Sequence, residues 1–171
     1  TQLFDANQAY QNSFHFIPRD FQGKVFTEIA GAEDIGLVIL EAPMGCGKTE
    51  AALMTAEQLA GKQQCAGVFF GLPTQASSNG IFPRVESWVD SLGQENQEKL
   101  SLRLSHGKAA LNEEFQALSR NYSEGIDLDG EKTKYVYVNE WFSGRKKAML
   151  DDFIVGTVDH LLLMALKQKH L

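Results

Sequence analysis

At 171 residues and 19.0 kDa the chain is long enough to bury roughly two thirds of the surface its unfolded form exposes, so one domain without disulfide or metal staples is the expectation. Hydrophobic residues at 43% and charged residues at 22% argue against a disordered chain, and the longest apolar run, LLLMAL at 161–166, is far too short to span a bilayer. A formal charge of −6 argues against a simple nucleic-acid module held by a basic field, though not against a motor that grips a strand through backbone amides and helix N-termini.

Short apolar runs alternate with amphipathic stretches, the pattern of an α/β chain with a parallel sheet covered by helices on both faces. The run LVIL at 37–40 reads as a buried strand. After it Ala52, Leu53, Ala56, Leu59 and Ala60 recur on one helix face, with Gly61 as the stop. A second strand, AGVFFGLP, ends at Pro73. Beyond it Ile81, Phe82, Val85, Trp88, Val89 and Leu92 stand at helical spacing, with Pro83 expected to kink that helix or delay its start. A third strand, LSLRLSHG, ends at Gly107, and Leu111, Phe115 and Leu118 mark a further helix face. Residues 121–134, NYSEGIDLDGEKTK, have neither period and read as a surface insertion. The last strand, DFIVGT at 152–157, leads into VDHLLLMALK, a helix apolar nearly all round that needs cover on several sides. Cys46 and Cys65 have no disulfide or metal spacing and fit a reducing compartment; with an N-terminus unlike a signal peptide, a cytoplasmic protein without a membrane partner is expected.

Between the first strand and first helix lies APMGCGKTE, the phosphate-loop pattern G-x-x-x-x-G-K-[ST] with Ala42 in place of its first glycine. Gly45 and Gly47 let backbone amides converge on phosphate oxygens, Lys48 reaches the β and γ phosphates, and Thr49 binds magnesium; Lys48 and Thr49 are the catalytic candidates. Pro43, Met44, Gly45, Cys46, Gly47, Lys48, Thr49 and Glu50 are therefore expected around the phosphates of a nucleotide and its Mg2+. A helix N-terminus following the loop adds orphan amides and a favourable dipole. The bland alternative is a glycine-rich strand-to-helix turn with an incidental lysine. Cys46 reads as loop filler, because no candidate base stands near it in sequence.

Beyond the loop, FFGLPTQASSN at 69–79, LSHGKAALNEEF at 104–115 and WFSGRKKAMLDDFIVGTVDHLLLMALKQKH at 141–170 together resemble the CRISPR-associated helicase-nuclease of type I interference systems, a superfamily 2 DNA helicase, over residues 16–170. The resemblance implies a partial first RecA-like lobe spanning 1–171, incomplete at its C-terminus. It implies that Gln22, in PRDFQ, reads the adenine edge and selects ATP, the alternative being a solvated helix residue. It places Pro73, Thr74, Gln75 and Asn79 at a strand end facing the DNA backbone, the alternative being a well-capped helix start. His106 or Lys108 would lie near a phosphate with Gly107 allowing close approach, and Thr157 would be a third phosphate contact, with Asp159 bracing the final helix. Arg145, Lys146 and Lys147 are a weaker contact candidate than a solvated charge run. The implied partners are single-stranded DNA, the RNA-guided surveillance complex, and the rest of the helicase-nuclease or its separate nuclease domain.

ATP hydrolysis also needs an acidic motif to hold magnesium and position water, and cationic fingers on the transferring phosphoryl group. The family's D-E-x-H box and second-lobe arginine are absent from this sequence. ED at 33–34 precedes the loop, and DD at 151–152 precedes a strand instead of ending one. His15, His106, His160 and His170 show no ligand clustering that would make the family's metal nuclease. An arginine finger alone is worth roughly 10³ to 10⁵ in rate, so negligible ATP turnover by this chain alone is expected. Two other readings stay open: a small phosphoryl-transfer kinase, although Arg19, Arg84, Arg103, Arg120 and Arg145 do not cluster into a lid, and a non-catalytic nucleic-acid-binding lobe.

Overall fold

In the computed structural model, which describes residues 5–33, 36–105, 135–137 and 151–166 (backbone only for 163–166), two units form, Thr1–Ala66 and Gly67–Leu171. The first is helical. Helix α1 (Ala6–Phe14) is capped by Asp5, whose carboxylate accepts from the Asn7 amide at 3.1 Å. Helices α2 (Asp20–Gly31) and α3 (Lys48–Gln63) close a core in which Tyr10, Phe26 and Met54 are buried, with Ala6, Ala9 and Phe14 packed against them. The Lys62 ammonium, in the last turn of α3, donates to the carbonyls of Ile29, Ala30 and Ala32 at 2.7–2.8 Å and so satisfies the orphan acceptors at the end of α2.

Two expectations for this unit are corrected. Residues 37–40 form no strand, and Leu37 and Ile39 are 81% and 83% exposed. An apolar run marks strand-forming side chains but not a partner, and without a partner the backbone groups have no ladder to join. Helix α3 also continues through Gly61 to Gln63, and its C-cap, Gln64, takes the left-handed conformation itself. Its buried residues are Glu50, Ala51, Leu53, Met54 and Thr55, while Ala52 is exposed. Packing on Tyr10 and Phe26 turns the buried face about one residue from the expected one.

The described residues of the second unit form a four-stranded parallel sheet in the order β1-β4-β2-β3, with β1 Val68–Leu72, β2 Leu100–Ser105, β3 Val136–Tyr137 and β4 Phe153–Thr157. Helix α4 (Gln75–Asn96) buries Phe82, Val85, Trp88, Val89 and Leu92, five of the six apolar positions its periodicity marks. Trp88 meets Phe153 of β4 edge to face at 5.3 Å. Val158, the first residue of α5 (Val158–Leu166), lies beside Gly71 and Phe69, which stand on the opposite side of the pleat from Phe153 and its register partner Val68. Pro83 does not delay α4. Thr74 caps the helix one residue before Gln75, and Pro83 lies inside it. The proposed insertion at 121–134 and the helix marked by Leu111, Phe115 and Leu118 lie outside the described residues.

Asp151 and Asp152 lock the N-terminal ends of β2 and β4 together. Asp152 Oδ2 accepts from the Ser101 amide and hydroxyl at 2.8 and 2.9 Å, and the Ser101 hydroxyl accepts from the Asp152 amide at 2.8 Å. The buried Asp151 carboxylate takes Arg103 Nε at 2.5 Å through Oδ2, while Oδ1 is buried without a partner among the described residues. These acids are structural, and they stand at the entrance of a strand as the sequence indicates. Among the described residues no helix is long and apolar enough to cross a membrane.

Candidate phosphate loop and strand-end surface

The loop between residues 41 and 48 turns on two glycines. Gly45 has φ +74° and Gly47 φ +94°, conformations that cost a residue with a Cβ. Gly47 is the N-cap of α3 and offers no side chain to the helix, so the amides of the first turn are not satisfied by a capping group. Lys48, Thr49 and Glu50 follow in that turn, with Lys48 and Thr49 half-buried and Glu50 buried. The Lys48 ammonium donates to the carbonyls of Ala42 at 2.5 Å and Pro43 at 2.7 Å, which closes the loop on itself. Pro43 and Met44 are exposed at the tip, Met44 almost completely, at 96%. Cys46 is half-buried and, with Ala42, Pro43, Phe21, Lys24 and Val25, lines a groove of about 420 Å³.

Helix α2 braces this loop. Gln22 is 2% exposed; its Nε2 donates to the Gly47 carbonyl at 3.0 Å and its Oε1 accepts from the Arg19 amide at 2.8 Å. Gln22 is therefore not a solvated helix residue, and both ends of its amide are engaged within the chain. Arg19 Nη1 donates to the Gly45 carbonyl at 3.1 Å. Sequence reasoning assigned Arg19 no role, although a residue three before Gln22 in a helix's first turn shares its side of the helix. Tyr10 was also missed. Its ring is fully buried and its hydroxyl has no hydrogen-bond partner among the described residues, and burial together with the nearby Glu50 charge pushes its pKa upward.

In the second unit the sheet register gathers the strand-end candidates. Leu72 pairs with Thr157 and Ser105 with Gly156, so Pro73, Thr74 and Thr157 emerge along the C-terminal edge of one parallel sheet, the edge where α/β proteins place ligands. Pro73, Thr74 and Gln75 are exposed, Asn79 is half-buried and Thr157 is buried. Thr74 performs the capping role: its Oγ1 accepts from the Ser77 amide at 3.1 Å, and its carbonyl accepts from the Ser78 hydroxyl at 3.0 Å. Asp159 lies in the first turn of α5, where its charge suits the helix dipole. His106, Gly107, Lys108, Arg145, Lys146 and Lys147 lie outside the described residues, and among the described residues no cluster of His, Cys, Asp and Glu is arranged to hold a metal.

No family model matches the sequence. Over 167 residues, 98% of the chain, it is 54% identical to the CRISPR-associated nuclease/helicase Cas3 of Streptococcus thermophilus. The chain belongs to the Cas3 family. The CRISPR-associated endonuclease/helicase Cas3 of Thermus thermophilus is 39% identical over 92% of the chain, and that of Escherichia coli K12 36% identical over 98%. The chain spans about 18% of the length of the first of these Cas3 proteins, 17% of the second and 18% of the third.

Proposed function

We propose that this chain is the ATP-binding part of a first RecA-like lobe in a Cas3-type DNA helicase, and that the complete protein translocates along single-stranded DNA in CRISPR antiviral defence. The observation that carries the reading is the loop itself: two left-handed glycines, an uncapped helix N-terminus and a lysine in the next position. Triphosphate oxygens would replace the Ala42 and Pro43 carbonyls as acceptors for Lys48, an exchange favoured because the ammonium then faces full negative charges in place of carbonyl dipoles. Thr49 supplies a hydroxyl to magnesium. One protein ligand suffices for an ion that keeps several waters and is held mainly by substrate phosphates. When bound, the ion neutralises charge on the phosphates during transfer.

Pro73, Thr74, Gln75, Asn79, His106, Gly107 and Thr157 are the proposed DNA-facing residues; the common position of Pro73, Thr74 and Thr157 at one end of the sheet supports it. The RNA-guided surveillance complex and the nuclease are the proposed partners; that the relatives are named CRISPR-associated and nuclease supports the reading. The 171 residues contain no D-E-x-H sequence, so this chain alone binds nucleotide without turning it over. The test is ATP hydrolysis with single-stranded DNA present: turnover by the full-length protein, abolished by Lys48→Ala, and none by the 171-residue chain. Phosphorylation of a small acceptor by this chain would decide for the kinase reading instead.

A further inference from the structure

We infer that Tyr10 of α1 is a positioning residue for the nucleotide: its buried hydroxyl receives the Glu50 carboxylate when phosphate arrives at the N-terminus of α3, an inference that rests on the nucleotide-binding reading and adds to it. Glu50 is the third residue of α3, the place from which a glutamate reaches back toward the N-cap. Its Oε2 stands 3.5 Å from where a Cβ on Gly47 would lie, so the carboxylate is turned toward that end of the helix, and at 9% exposure it has little water around it. A helix N-terminus favours negative charge, and here the protein's own carboxylate is beside the place where phosphate is expected.

Tyr10 supplies the second position for that carboxylate. It packs against Met54, which follows Glu50 by four residues and so lies one turn further along the same face of α3. The ring is fully buried and the hydroxyl has no hydrogen-bond partner among the described residues. Burial and the Glu50 charge both push its pKa upward, which keeps the phenol protonated and able to donate. A buried tyrosine hydroxyl usually has a partner, and one left without it costs stability. Phosphate at the first turn of α3 repels a carboxylate beside it, since the two charges share a sign. Displaced from Gly47 along its own helix face, Glu50 meets the Tyr10 hydroxyl, which stabilises the charge in its new place and leaves the helix end to the phosphate.

Calorimetric titration of the full-length protein with magnesium ATP, beside thermal melts without nucleotide, tests the pairing. Tyr10→Phe should leave the melting temperature of the nucleotide-free protein unchanged or raised, because the hydroxyl it removes is bonded to nothing there. The same variant should bind ATP roughly tenfold more weakly, the worth of one hydrogen bond to a charged group. A residue that served packing alone would not move the two readouts apart in this way. In a Glu50→Gln background, where the side chain carries no charge for phosphate to repel, adding Tyr10→Phe should change the affinity by less than about twofold. Native ATP affinity in Tyr10→Phe, whatever its melting temperature, would overturn the inference while leaving nucleotide binding intact, and so would an equal loss in both backgrounds. A native protein that binds no magnesium ATP would instead overturn the nucleotide reading beneath it.

Discussion

Arg103→Met tests the least compensated charge in the second unit. Arg103 Nε is bonded to the Asp151 carboxylate, whose side chain has no exposed surface and whose second oxygen has no partner among the described residues. Removing the guanidinium strands a buried carboxylate, and breaking such a pair from one side costs about 3–5 kcal/mol, more than the whole net value of the pair against apolar replacements. The pH dependence has a definite sign. Burial already raises the Asp151 pKa, and Arg103 is the chief counterweight. A carboxyl whose folded value is raised contributes stability that is fully present below its unfolded value, about 3.9, and that contribution is lost as pH rises through the folded value. Without Arg103 the folded value climbs further. Urea unfolding of Arg103→Met should therefore show its largest deficit near neutral pH and a smaller one near pH 4, and adding Asp151→Asn should recover much of it at neutral pH. A deficit under about 1 kcal/mol, equal at both pH values, would refute the reasoning, since it would mean that the carboxylate is solvated.

Two further substitutions probe packing and the strand end. Gly156→Ala places a methyl 2.7 Å from the Ser105 carbonyl and 3.1 Å from the Phe69 ring, between paired strands that cannot separate without losing ladder bonds; a loss of about 1–3 kcal/mol should appear as a lower melting temperature. Thr74→Ala removes the α4 cap and should cost about 1 kcal/mol, whereas Thr74→Asp keeps the cap but repels a phosphate. Fluorescence anisotropy with a labelled single strand should then show weaker DNA binding in the aspartate variant, and equal affinity in both would remove Thr74 from the proposed DNA edge.

What could be read from the residues depended on how local the determinant was. The α4 face from Phe82 to Leu92 follows from periodicity alone, because one helix packs on one sheet. The strands ending at Leu72, Ser105 and Thr157 were visible as apolar runs, but only hydrogen-bond register could place β4 between β1 and β2. At 37–40 the same signal failed, since LVIL describes side chains that suit a sheet and carries no information about the backbone partner. The loop was legible through its glycines and lysine. The brace upon it was not, because the bonds from Arg19 and Gln22 to Gly45 and Gly47 span 26 and 25 residues. Gln22 was singled out for a base, and nothing in its neighbours PRDFQG announces a carbonyl from another turn.

The most direct test of the nucleotide-binding reading is a calorimetric titration of the full-length protein with magnesium ATP, beside the same protein carrying Lys48→Ala. Lys48 is bonded only to the carbonyls of Ala42 and Pro43 among the contacts described, so its removal should spare the fold and fall on the ligand. The expected result is one site in the native protein and affinity at least about tenfold weaker in the variant, as befits the loss of a charge-assisted contact of about 1.5–3 kcal/mol. Equal affinity in the two proteins, with both folded, would contradict the assignment of this loop as the phosphate site.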